Sequence, residues 1–369
     1  MRLLNIVKHR FLIVALVVWA ALGMAGLAQA PERVTVTILA TSDLHGHIYP
    51  YDYYTGKPAN LGLAKVATIL KQIREKKPEA LLVDCGDTIQ GSPLVSVHAQ
   101  QVAAHDPKAG PNPMMLAMNV MDYDGMVVGN HEFNYGPEVM LKAMKDAHFE
   151  WLSANVPPAV NATEALGMRN KAHSQVFDSL LDRTFEPLIV EDVHGVTVAI
   201  IGVTTPAVPS WERPENIEMY RFEPLVASLR EWVRHAREIR KADVVIVAAH
   251  SGLERSLEDA QPFPSQIPGE NAVYQIAMAV PGIDCIVYGH THQELAGRRV
   301  NGVILAQPKF WGQSVAEMNI VVERASRTDP WKVVEKNSRV IPVTEKTEAD
   351  AEILEMTEEI GRASCRERV

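Results

Sequence analysis

Five places in this 369-residue chain put metal-binding or proton-transferring side chains directly after short apolar runs. Asp43-Leu44-His45 follows VTVTILATS, and Gly86-Asp87 follows LLVDC. Gly129-Asn130-His131 follows GMVV, His250 ends DVVIVAAH, and Gly289-His290-Thr291-His292 follows DCIVY. Asp, Asn and His offer oxygen and nitrogen ligands suited to divalent ions such as Mn, Zn, Fe or Co. No thiol takes part, which speaks against a structural cysteine–zinc site. Each piece alone has an ordinary explanation. Asp-x-His and Gly-Asp are common in turns, Asn130 could cap a helix, and a lone His250 is more often a hydrogen-bonded core histidine. Two histidines at i and i+2 after a strand share one side. In α/β folds, ligands collect beyond the carboxyl ends of strands, and the five ends together carry one ordered set.

Holding such a set in place takes buried strands. Short β-branched runs bounded by Gly and polar residues read as such strands. Between them, GLAKVATILKQIREKK, EVMLKAMKDA and EPLVASLREWVRHAREIRKA carry apolar residues at three- and four-residue spacing and predict amphipathic helices. PLIVEDVHGVTVAIIGVTT predicts a strand pair turning at His194-Gly195, and GRRVNGVILAQP another turning at Asn301-Gly302. QPKFWGQSVAEMNIVVER predicts one more strand. Strands alternating with helices, with hairpins mixed in, predict a layered α/β domain with mixed sheets over residues 31–345. Residues 346–359 predict a linker helix.

The composition, 47% hydrophobic and 22% charged with a net charge of −9, is that of a globular protein without a basic face for a nucleic-acid polymer. Residues 1–30 read as a signal peptide. Arg2, Lys8 and Arg10 precede an apolar stretch that is short for a membrane span of about 20 residues, and Ala28-Gln29-Ala30 resembles a cleavage site. We therefore expect export to the periplasm or cell surface, with no stable membrane insertion beyond that leader. At the other end, an acidic run switches abruptly to the Arg-rich EIGRASCRERV. Residues 360–369 equal one translated frame of a common sequencing adapter, so we expect the natural coding sequence to continue past about Glu359. Both ends are basic, so the body between them is more acidic than the whole chain, and phosphate bound there needs help from a cation. Cys85 and Cys285 sit inside apolar runs and read as small buried residues, not a disulfide pair.

The ordered set Asp-x-His, Gly-Asp, Gly-Asn-His, His, Gly-His-x-His resembles the calcineurin-like metallophosphoesterases. The resemblance implies a four-layer αββα sandwich with two mixed β-sheets. It implies two divalent cations, one held by Asp43, His45 and His292, the other by Asn130, His250 and His290, with Asp87 shared between them. It gives His131 the task of stabilising charge on, or protonating, the leaving oxygen. In the 5′-nucleotidase branch that histidine is followed by Asp in NHEFD; here the position is Asn134. A neutral amide keeps the orientation, so the expectation is weaker electrostatic support. GNHEFNYG, YDYY, GDTIQGSPL, AHSGLE, VPGID, GHTH and KFWG look like the bacterial 2′,3′-cyclic-nucleotide 2′-phosphodiesterase/3′-nucleotidases over about residues 34–345. That resemblance implies nucleotides as substrates. It also implies a further C-terminal domain that stacks the base between aromatic rings. The aromatic loop at Tyr51–Tyr54 reads equally as a substrate-side loop or a structural turn, and Trp311 as a core residue.

Overall fold

The computed structural model describes residues 31–107, 109–159, 184–263 and 267–357. The leader at 1–30 and the tail at 360–369 lie outside the described residues. In chain order the strands are β1 (Glu32–Thr41), β2 (Tyr51–Asp52), β3 (Lys57–Pro58), β4 (Leu81–Asp84), β5 (Gly125–Val127), β6 (Glu150–Leu152) and β7 (Leu188–Val193). They continue as β8 (Val196–Thr204), β9 (Val244–His250), β10 (Cys285–Tyr288), β11 (Leu295–Val300), β12 (Val303–Gln307), β13 (Ser314–Arg324) and β14 (Lys332–Pro342).

Two six-stranded sheets result, ordered β14-β13-β1-β4-β5-β6 and β11-β12-β10-β9-β8-β7. Both are mixed: β1 runs parallel to β4 and antiparallel to β13, and β9 is parallel to both neighbours while β7 and β11 are antiparallel edges. Strand periodicity assigns the faces. In β9, Val244, Ile246 and Ala248 face one core, and Val245, Val247 and Ala249 face another. The first set meets Val36, Ile38 and Ala40 of β1 in the core between the sheets. The second set packs under the helices Leu225–Glu238 and Val273–Ala279. On the far side, Leu39 and Leu82 pack under the helices Leu63–Arg74, Pro113–Val120 and Pro137–Asp146. The layers are therefore helix, sheet, sheet, helix, the αββα sandwich expected from the sequence.

The two hairpin turns fall where the sequence puts them. His194 and Gly195 have φ of 54° and 79°, and Asn301 and Gly302 have 48° and 79°. Positive φ at both central residues is the type I′ pattern whose twist suits a hairpin. Cys85 and Cys285 are free and buried. Residues 351–357 are helical and lie on the domain: Ile353 enters the core beneath Leu63–Arg74, Lys71 pairs with Asp350 at 2.7 Å, and the Tyr49 hydroxyl donates to the Thr357 carbonyl at 2.6 Å.

Candidate metal centre

All five polar clusters sit at the carboxyl ends of strands β1, β4, β5, β9 and β10, on one edge of the sandwich. The loops after β1 and β4 are laced together: Asp43 N donates to the Gly86 carbonyl at 2.9 Å, and His45 N to the Asp87 carbonyl at 2.8 Å. The loops bend sharply. Asp43, His45, Asp87, His290 and His292 all have φ between 47° and 76°. Left-handed backbone costs an L-residue about 1–2 kcal/mol, and Asp and His tolerate it better than most. Strain of this kind persists where the surroundings over-determine it, typically at functional sites. Two glycines allow the close approach. A Cβ at Gly289 would collide with the Ser42 hydroxyl, and one at Gly129 with Asp87 Oδ1.

The side chains form two groups. Asp43, His45 and His292 offer ligand atoms within 4.8 Å of one another, and Asp87, His250 and His290 do the same. Asp87 Oδ2 stands between the groups, 3.1 Å from His250 Nε2 and 4.0 Å from His45 Nε2. Asn130 Oδ1 is 3.0 Å from His250 Nε2. Ring orientation is set from behind. His250 Nδ1 lies 2.7 Å from the Cys85 carbonyl, and His45 Nδ1 lies 3.0 Å from the Gln90 carbonyl. A carbonyl only accepts, so each Nδ1 carries the hydrogen and each Nε2 keeps its lone pair for a cation. Oxygen and imidazole donors without thiols, oriented this way, fit a pair of divalent cations.

The charges are crowded and buried. Burial alone would raise Asp87, but the His250 charge and hydrogen bond, with His131 and His45, hold its carboxyl far below the usual range. Burial likewise opposes ionisation of Asp43, and its bond to His292 and the His250 charge outweigh that. Burial would lower His250, yet with no cation beside it Asp87 pushes it up to about 10, and a bound cation would take the place of the Nε2 proton.

His131 opens a short 3-10 turn, His131–Phe133, whose first N–H donates to Asp87 Oδ1 at 2.8 Å. Its ring stands edge-on 5.3 Å from the His45 ring, so it belongs to the same centre. His131 Nδ1 lies 2.6 Å from Asn134 Oδ1, and Asn134 Nδ2 donates to Glu212 Oε2 at 2.6 Å. Asn134 thus stands between His131 and the carboxylate of Glu212.

Several residues at the centre escaped sequence reasoning. Glu132 is wholly buried and accepts from four backbone N–H groups. Glu270 Oε1 lies 3.1 Å from His290 Nε2. Phe310 stacks on His292 at 4.8 Å, and Trp311 stacks on His47 at 4.5 Å and on Tyr54 at 6.2 Å. Trp311 is half-buried at the rim rather than in the core. The adjacency of Phe310 and Trp311 to a glycine in a loop was the available signal for that rim.

Asp84, at the end of β4, supports the loop below the centre. It accepts from the Thr41 hydroxyl at 2.7 Å, the Thr88 hydroxyl at 2.8 Å and Gly86 N at 2.9 Å. Burial pushes it up from the ordinary 3.8 to about 7 against those three donors. A carboxyl raised in the fold contributes stability below its ordinary value and loses it as pH climbs through about 7. Asp84→Asn stays neutral throughout, and its amide can donate to Thr41, whose hydroxyl then turns to Tyr123 2.8 Å away. In chelator, the Tm of the variant relative to wild type should rise by about 2–6 °C between pH 5 and pH 8. Parallel melting curves across that range would show that Asp84 does not carry this pH dependence.

Residues 36–294 match the calcineurin-like phosphoesterase family. The chain is 30% identical over 330 residues to the trifunctional nucleotide phosphoesterase protein YfkN of Bacillus subtilis (strain 168), a match covering 85% of this chain and 21% of that protein. It is 29% identical over 343 residues to a 2′,3′-cyclic-nucleotide 2′-phosphodiesterase/3′-nucleotidase of Yersinia enterocolitica, covering 86% and 47% respectively. The crystal structure of the calcineurin-like phosphoesterase YfkN from Bacillus subtilis superposes with a TM-score of 0.75 at 26% identity, over 91% of this chain and 99% of that one. The chain spans less than half the length of these curated relatives. Since the family match starts inside β1 and ends just beyond His292, it takes in both groups of ligand atoms and the histidine beside them: the chain belongs to the calcineurin-like phosphoesterases.

Proposed function

We propose that this chain is an exported phosphoesterase that converts 2′,3′-cyclic nucleotides to 3′-nucleotides, and 3′-nucleotides to nucleosides. The observation that carries the reading is the reach of one buried carboxylate, Asp87, to both groups of ligand atoms. Asp43, His45 and His292 would hold one divalent cation, and Asn130, His250 and His290 the other, with Asp87 shared. When bound, the cations supply Lewis acidity toward the phosphoryl group and offset its negative charge. Such help matters in a chain whose net charge is −9.

The protein's own groups do the rest. Asp87 Oδ1 holds the His131 backbone through its N–H, and Asn134 holds the ring. In its doubly protonated form His131 gives the Nε2 proton to the departing ribose oxygen as the P–O bond breaks, and the neutral ring that remains keeps its hydrogen on Nδ1, held by Asn134. The names of two relatives at 29% identity support cyclic and 3′-nucleotide substrates, while relatives called 5′-nucleotidase stand at 27–28% over shorter spans. No helix among the described residues is long and apolar enough to cross a membrane, and export rests on the pattern of residues 1–30.

The test is hydrolysis of bis(p-nitrophenyl) phosphate, 2′,3′-cyclic AMP and 5′-AMP side by side with added Mn. Turnover of the first two with little on 5′-AMP supports the reading. A preference for 5′-AMP overturns the substrate assignment in favour of a 5′-nucleotidase. Bound metal without any turnover makes the chain a binding protein, and activity that survives a chelator removes the cations from the account.

A further inference from the structure

The orientation of the Asn134 amide is not free. Its Nδ2 donates to Glu212 Oε2 at 2.6 Å, and its Oδ1 lies 2.6 Å from His131 Nδ1. An ionised carboxylate only accepts, so it must take the NH2 end of the amide. The carbonyl end then faces His131, and a carbonyl also only accepts. The hydrogen between them therefore sits on His131 Nδ1, so Nε2 is the nitrogen that carries the transferable proton in the cationic ring and is bare once that proton has been given up. Glu212 is itself braced. Its Oε1 accepts from Asn216 Nδ2 at 2.9 Å and from Arg213 N at 2.7 Å. Asn216 Nδ2 also donates to the Asn134 carbonyl at 3.4 Å, so the two loops hold each other across 82 residues of sequence.

We infer that Glu212 is a positioning residue for His131: through Asn134 it fixes the tautomer and ring orientation of the histidine, so that Glu212, Asn134 and His131 act as one chain where a direct His–carboxylate pair would otherwise stand. The inference rests on the reading of His131 as the group that protonates the departing oxygen. Bonds in such a chain polarise one another, so the Glu212 charge also strengthens the Asn134–His131 bond.

Two measurements test it. The first is the kcat of wild type, Glu212→Ala, Asn134→Asp and the double variant on 2′,3′-cyclic AMP and on bis(p-nitrophenyl) phosphate. The ribose oxygen needs a proton to leave, whereas p-nitrophenolate leaves as a stable anion. Glu212→Ala should lower kcat on the cyclic nucleotide by about 10–50-fold with KM within about twofold, and on the p-nitrophenyl ester by less than about threefold. In the Asn134→Asp background the sign should invert. The introduced carboxylate takes the Nδ1–H directly and is repelled by Glu212, so removing Glu212 there should raise kcat. Equal losses on both esters, or a loss in both backgrounds, would mean that Glu212 merely braces the loop at 212–216, and the inference falls.

The second measurement is the 15N spectrum of histidine-labelled protein, with His131 assigned by its absence in His131→Ala. Wild type should show the Nδ1–H form, and Glu212→Ala a mixture of the two tautomers. An unchanged spectrum overturns the inference. This readout needs no turnover, so a chain inactive on both esters would sink the proposed function while the tautomer still decides the role of Glu212.

Discussion

Asp87→Asn should strip at least one of the two cations and lower phosphodiester turnover by about a thousandfold or more, some 4 kcal/mol of transition-state stabilisation. The size follows from position. Asp87 is buried, and its Oδ2 approaches ring nitrogens of both groups, His250 Nε2 at 3.1 Å and His45 Nε2 at 4.0 Å. Its Oδ1 holds the His131 backbone at 2.8 Å. The substitution keeps the shape and removes the charge, so the loss is electrostatic. It also leaves His250, raised to about 10 by Asp87, without its counter-charge in a fully buried place. Breaking a buried pair from one side costs about 3–5 kcal/mol, so the variant should also melt earlier in chelator. Metal content after dialysis, measured by mass spectrometry, should fall from two equivalents to one or fewer. Asp43→Asn, whose carboxylate meets the His292 ring and, in the other group, only the His290 backbone N–H, should lose one cation at most. Two retained equivalents with activity within tenfold of wild type would mean that Asp87 is not the shared ligand.

The parts of this centre that were legible in the sequence share a local signature. A β-branched run ending in Gly and a polar residue marks a strand end, and His194-Gly195 and Asn301-Gly302 announce their turns by residue type alone. The resemblance to a known family then linked strand ends that lie far apart in the chain. What stayed hidden has no period. Strand β14 carries KVVEKNSRVIP at a largely exposed sheet edge, where no buried face imposes an alternation. The helix Pro93–Ala103 begins at a Ser-Pro pair and buries His98 among Leu94, Val95, Ala99 and Val102, which blurs the three- and four-residue apolar spacing. Glu212 reaches Asn134 across 78 residues, from a loop whose sequence, WERPEN, reads as solvated surface. Glu132 was visible as a letter in GNHE, but its partners lie in the loop after β4, and only the fold brings them to it.

Glu132→Gln should destabilise the domain by about 2–5 kcal/mol, with a Tm loss on the order of 5–10 °C, although the change removes a single charge and alters no shape. Glu132 is wholly buried. Its Oε1 accepts from Thr88 N at 2.6 Å and Ile89 N at 3.2 Å, and its Oε2 from Gly129 N at 2.7 Å and Asp87 N at 2.8 Å. Burial and the neighbouring Asp87 carboxylate push its carboxyl up, and the backbone donors oppose them. Four N–H groups converging on two oxygens suit a carboxylate and no neutral group. A glutamine can turn only one end as an acceptor. Its NH2 must then face two N–H donors, which lose their partner inside a dry core and pay the desolvation cost of orphaned amides. The four amides belong to the loops that carry Asp87 and Asn130, so the same change should loosen metal binding by about 10–100-fold while leaving every ligand in the sequence. Denaturant melts with an unchanged m-value would place the loss in the folded state. If Glu132→Gln melts within 2 °C of wild type and binds metal equally well, the buried carboxyl is protonated in the native protein, and the clamp between the two loops is weaker than its geometry implies.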